Sequence, residues 1–119
     1  MKILSTFILI LISQITAAQS LWCAGTITGV YINSAKEVIV NGTWRNSWTR
    51  VCKTDGSSGN IDTVTCSLWA SLITSAVNND KNMTFHYTEL PNGTTCDTLP
   101  TYENSPTPNY VMILKDSPQ

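Results

Sequence analysis

Between positions 66 and 77 the apolar residues Cys66, Trp69, Ala70, Ile73, Ala76 and Val77 fall three and four apart, with Leu68 and Leu72 widening the stripe. That is the period of an amphipathic helix with one face in a core. Asp62 or Thr65 is placed to cap its first turn, and Asn78, Asn79 and Asp80 end it with residues that tolerate a left-handed backbone. This is the one helix the pattern predicts, and the remainder alternates with period two. The helix is therefore expected to plug or cover a small β domain.

From Trp22 to Ile32, Thr26, Thr28, Val30 and Ile32 alternate with Ile27, Gly29 and Tyr31, a β-branched run that predicts a first strand. Gly25 and Gly29 interrupt it, as a strand needs where it bends around a small barrel. Glu37, Val38, Ile39 and Val40 predict a second strand, and residues 48–53 a third. The reversal between them has two readings. Asn41-Gly42 is a hairpin signal, whereas a turn at Arg45-Asn46-Ser47 would place Trp44 and Trp48 near each other on paired strands; the later turn is preferred. Met83, Phe85 and Tyr87 alternate with Thr84 and His86 as a fourth strand. A proline-bearing loop then leads to a fifth, Tyr110 to Leu114, apolar on both faces and expected to be buried.

Three strands, a helix, then two strands is the order of the five-stranded Greek-key barrel called the OB-fold, whose helix sits between strands three and four. The fold expected is thus mainly β with one helix, OB-like, held by two disulfides.

The amino terminus changes where that domain starts. Met1-Lys2, an apolar run to Ile15 and the small residues Ala17-Ala18 form a signal peptide over residues 1–18, leaving one OB-like domain over 19–119. The apolar run is too short to anchor the chain in a bilayer, so a secreted or periplasmic product cut after Ala18 is expected. The whole chain has seven Lys and Arg against eight Asp and Glu; losing Lys2 leaves a net charge near minus two. That excludes a nucleic-acid partner, which requires a basic surface. The surface left is neutral and rich in Ser, Thr and Asn.

Four cysteines in a short exported chain read as two disulfides with three possible connectivities. Cys52 with Cys66, closing the Gly-rich loop 55–60, is preferred, which leaves Cys23 with Cys96. With no Cys-x-x-Cys pair and a single histidine, no metal or other cofactor is expected.

No catalytic signature emerges. His86 lies in a strand without a serine or cysteine context, and the carboxylates Asp55, Asp62, Asp80, Glu89, Asp97 and Glu103 fall in turns or caps. A hydrolase using His86 with a loop carboxylate ranks last among the readings, and the protein is expected not to be an enzyme. Asn41-Gly-Thr43, Asn82-Met-Thr84 and Asn92-Gly-Thr94 match the N-glycosylation acceptor pattern. The aromatic residues Trp22, Tyr31, Trp44, Trp48, Tyr102 and Tyr110 are candidates to stack on sugar rings. Tyr31, Trp44, Trp48 and Tyr102 are the chosen glycan contacts, while Trp69 belongs to the core.

Cys52-Lys-Thr-Asp-Gly-Ser-Ser-Gly-Asn60, Cys66, Ser67-Leu-Trp69-Ala70 and the run Lys81 to Tyr87 resemble the B subunits of subtilase cytotoxin and of the typhoid and pertussis-like toxins. The resemblance covers the middle two-thirds of the chain. It implies an OB barrel, a homo-pentamer around a pore lined by the helix, a toxin A subunit as partner, and binding of sialylated or related cell-surface glycans. Ala24 falls where those subunits place a sugar-contacting serine. The late segment Pro100-Thr-Tyr102 with Pro106 to Val111 is instead similar to small secreted proteins of Gram-negative bacteria, which imply no activity. The expected function is recognition of cell-surface glycan; the alternative is a monomeric periplasmic or secreted protein that binds or inhibits a protein partner.

Overall fold

The computed structural model describes residues 18–115. The leader expected over 1–18 lies, Ala18 apart, outside the described residues. The β-branched run at the amino end forms a longer strand than the alternation predicts: β1, Gln19–Ile32, spans 14 residues. It is followed by β2 (Glu37–Gly42), β3 (Ser47–Lys53), α1 (Thr63–Asn78), β4 (Asn82–Leu90) and β5 (Tyr110–Leu114). All pairings are antiparallel, in the order β3-β2-β1-β4-β5. β1 is shared along its length. Residues 19–26 pair with β4, residues 27–32 pair with β2, and the register shifts between Ile27 and Gly29 where the two halves meet.

Period-two alternation sends Cys23, Ile27, Val38, Val40, Val51, Met83, Phe85, Tyr87 and Val111 to one side, where they form the core. Cys66, Trp69, Ile73 and Ala76 of α1 are buried against them, at the predicted helical spacing. The Asp62 carboxylate caps α1 by accepting from the Thr65 N–H at 2.7 Å, and Asp80 leaves it in the left-handed region (φ 51°).

The sheet is open, in contrast to the closed barrel expected. The reason lies in residues 99–108, which run to the outer edge of β3 but carry Pro100, Pro106 and Pro108. A proline has no N–H to donate to a ladder. The edge of β3 therefore meets a single parallel bridge, Thr49 to Tyr102, in which the Tyr102 N–H donates to the Trp48 carbonyl at 3.0 Å. Side chains complete the contact: the Arg50 N–H donates to Ser105 Oγ at 3.0 Å, and Arg45 Nε to the Leu99 carbonyl at 3.1 Å. β5 is also less buried than expected. Val111 faces the core, whereas Tyr110 and Met112 face solvent.

The hairpin reverses over residues 43–46, beside the later turn preferred from the sequence, with the Arg45 and Asn46 N–H groups donating to the Gly42 carbonyl. The disulfides are Cys23–Cys96 and Cys52–Cys66, the preferred pairing. The first ties β1 to a single 3-10 turn, Cys96–Thr98; the second ties the end of β3 to the first turns of α1. Two disulfides fit an extracellular or periplasmic setting. Among the described residues no helix is long and apolar enough to cross a membrane.

Two predictions follow from these ties. The bridges close loops of very different length, with sequence separations of 73 and 14. Chain entropy then assigns about 4.5 kcal/mol to Cys23–Cys96 and about 3 kcal/mol to Cys52–Cys66. Urea unfolding should show the Cys23/Cys96 double alanine variant to be the less stable of the two. Glu37 accepts from Asn33 Nδ2 and Arg50 Nη1, bonds that hold its carboxyl below its ordinary value of 4.5. A depressed folded pKa gives stability that is present above the ordinary value and lost as pH falls through the folded one. The unfolding midpoint should therefore be flat from neutrality to about pH 5 and fall below it, with a shallower fall for Glu37→Gln.

Candidate functional site

Of the four aromatic residues expected as sugar contacts, the structure places Tyr31, Trp48 and Tyr102 along one half of the sheet and turns Trp44 toward the core. Trp44 lies in the β2–β3 turn and folds inward. Its ring sits 5.0 Å from that of Phe85, and its Nε1 is buried without a partner within the protein. It also covers Gly42, where an added Cβ would come within 2.5 Å of the ring. Trp44, expected as a sugar contact, is half-buried and packs its ring against the core, so the turn that was expected to bring it beside Trp48 directs it toward Phe85 instead.

Trp48 and Tyr31 do meet, ring edge to ring face at 5.0 Å, on the outer side of the β1-β2-β3 half of the sheet. Trp48 lies over Gly29, where an added Cβ would come to 3.0 Å. Tyr102 follows along the edge of β3, joined to Trp48 through its backbone and held at φ 52°. Tyr31 and Tyr102 are exposed and Trp48 is half-buried.

A second cluster occupies the other half of the sheet. Register places Trp22 of β1 opposite His86 of β4, and His86 opposite Tyr110 of β5. The Trp22 and His86 rings stack at 4.8 Å and 29°, and those of His86 and Tyr110 at 4.7 Å and 27°. Trp22 Nε1 donates to the Tyr110 hydroxyl at 3.0 Å, so the two outer rings close over the imidazole between them. His86 is only 8% exposed, whereas Trp22 is 60% and Tyr110 37% exposed. An exposed tryptophan held on one face by a stacked partner offers its other face to a ligand.

This ladder adjoins a cleft of about 240 Å³ lined by Asn60, Thr88, Glu89, Thr107 and Asn109, with Gly59, Ile61 and Pro108. Asn109 belongs to both: its N–H donates to the His86 carbonyl at 2.7 Å, and its Nδ2 lies 3.4 Å from His86 Nδ1. Thr88 and Glu89 reach the cleft through a bulge. β1 pairs Leu21 with Tyr87 and Gln19 with Leu90, so Ser20 alone stands opposite both. Glu89 takes the left-handed conformation there, φ 57°. Bulges of this kind redirect a side chain.

A larger hollow of about 380 Å³ lies at the end of α1, between Ser75, Asn79, Lys81, Ile113, Leu114 and Lys115. None of its lining residues is aromatic, and Lys81 across it donates to the Lys115 carbonyl.

The chemistry of the ladder is that of stacking and hydrogen bonding. The His86 ring stacks between those of Trp22 and Tyr110, and its Nδ1 lies beside the Asn109 amide. Asp55, Asp62 and Asp97 each accept from a nearby Ser or Thr, bonds that hold their carboxyls below the usual range and explain them as turn and cap residues. Burial pushes the Tyr87 phenol well above its ordinary value inside the core. Among the described residues no three of His, Cys, Asp and Glu gather closely enough to hold a metal ion.

The contrast between the tryptophans is measurable. Trp44→Ala should destabilise the fold by about 3 kcal/mol, the low end for a large aromatic, because a half-buried ring packed against Phe85 is lost. Trp22→Ala should cost about 1 kcal/mol, the loss of one exposed stack and one hydrogen bond. Chemical unfolding of the two variants, followed by the remaining tryptophans, checks both values.

No protein-family model, curated protein or solved structure matches the chain.

Proposed function

We propose that the chain is a secreted, non-enzymatic binding module that recognises glycan on a cell surface, in the manner of a toxin B subunit. The observation that carries this reading is the Trp22-His86-Tyr110 ladder, an aromatic surface kept open to solvent and braced from beneath. Sugar rings present C–H faces to such platforms and hydroxyls to the amides and hydroxyls beside them. The Cys52–Cys66 loop and the helix after it support the same reading, since they are the features in which the chain resembles those subunits. An OB-like Greek-key arrangement is part of the proposal. It is supported by the strand order, by α1 between β3 and β4, and by the Thr49–Tyr102 bridge at the opening of the sheet.

Assembly as a ring of copies beside an A subunit is supported by α1. Its 16 residues carry no charge, and its outer side exposes Val64, Leu68 and Leu72 at helical spacing. An exposed apolar stripe on a small secreted domain marks a contact surface. The same stripe favours the second reading, a monomer that binds or inhibits another protein; a stoichiometric protein ligand co-purifying with a monomer would select it.

The purified chain over 19–119 should bind glycans on an array above background, and its native mass should be a multiple of the monomer's. Leu68→Asp should return that mass to one copy while leaving the unfolding midpoint within about 0.5 kcal/mol. A monomer that binds no glycan overturns the proposal.

A further inference from the structure

Resting on the glycan reading above, we infer that the ladder and the adjoining cleft form one continuous site for an uncharged oligosaccharide of two or more rings, and that the site rejects anionic sugars. Continuity comes from Asn109, which touches His86 and lines the cleft, and from Thr88, two residues along β4 from His86 on the same side of the strand. Two residues of strand span about 7 Å. A sugar ring stacked on the free face of Trp22 or Tyr110 therefore has its neighbour within reach of the cleft.

Charge sets the class. The one ionisable side chain among the cleft residues is Glu89, an anion. The described arginines are engaged elsewhere: Arg45 with Leu99, and Arg50 with Glu37 and Glu103. Lys53 lies near Asp55, and Lys81 donates to the Lys115 carbonyl at the far end of α1. An acidic sugar entering the cleft would set its carboxylate beside Glu89 with no cation in the wall to offset the repulsion, whereas hydroxyls are good donors to that carboxylate.

The backbone explains how Glu89 comes to the cleft. Position 89 is a left-handed residue in a strand bulge, a place where glycine is favoured and any side chain adds strain. The bulge sets the Glu89 carboxylate among the hydroxyls and amides that line the cleft.

An array carrying neutral oligosaccharides and their sialylated counterparts tests the inference. Neutral glycans should bind and the matched sialylated ones should bind at least tenfold more weakly. For the brightest neutral glycan, titration followed by tryptophan fluorescence should show at least tenfold loss with Trp22→Ala and with Glu89→Gly, and no change with Trp48→Ala. Glu89→Gly removes the strain, so it should keep or raise the unfolding midpoint, which separates lost binding from lost fold. Equal or stronger binding of the sialylated glycans, or binding insensitive to Trp22→Ala and Glu89→Gly, overturns this inference while leaving the glycan reading in place. Absence of binding to every glycan overturns both.

Discussion

One strand bonded to two different partners along its length is the constraint on which the molecule depends. β1 spends its first eight residues with β4 and its remainder with β2, and the shift at Ile27 and Gly29 separates the two halves. Because every other strand hangs from β1, this division decides which residues share a surface. It puts Trp22 in the half with β4 and β5, and Tyr31 in the half with β2 and β3. The concave side gathers the core and receives α1; the outer side carries two aromatic groups that do not touch one another's partners. Cys23, buried within the first half, then fixes β1 to the late turn at Cys96.

The aromatic residues show how burial and exposure divide labour in so small a fold. Trp69 and Phe85 fill the core between sheet and helix, and Trp44 packs its ring against Phe85 from the β2–β3 turn, as the shortage of core in a domain of this size demands. Trp44 fits only because residue 42 is glycine. Trp22 contributes little to that filling and is nevertheless held rigid by His86 and Tyr110. Rigidity without burial costs a protein hydration of its apolar face, and a ligand that covers the face recovers it.

The strands and helix were legible because each leaves a period in the sequence: two for Met83 to Tyr87, between three and four for Cys66 to Val77. The pairing of cysteines was legible because the short loop between Cys52 and Cys66 is easy to close. β1 begins earlier than its pattern suggests because its first residues are stabilised by the end of β4, a partner more than sixty positions away. Barrel closure depended on whether residues 99–108 would form a ladder with β3, and prolines prevented it. The ladder itself was hidden for a related reason. Trp22, His86 and Tyr110 become neighbours only through the registers of two separate strand pairs, which no local pattern encodes. Trp22 and Tyr110 were each visible as surface candidates; His86, read as a strand histidine without catalytic context, is the middle of their stack. The cleft depends on a bulge at Thr88 and Glu89, and a one-residue slip of that sort is invisible without the opposing strand.

The sharing of β1 also orders events in time. As the chain is synthesised, β1 comes first among the described strands, yet its partner β4 and the sulfur that bonds Cys23 come only after β2, β3 and α1. The hairpin of β2 and β3, and the short bridge from Cys52 to Cys66, need only their own neighbourhood and are able to form while the rest is still emerging. Until Cys96 appears Cys23 has no native partner, while Cys52 and Cys66 are already present. The first half of β1 therefore waits longer for its partner strand than its second half, which finds β2 at once.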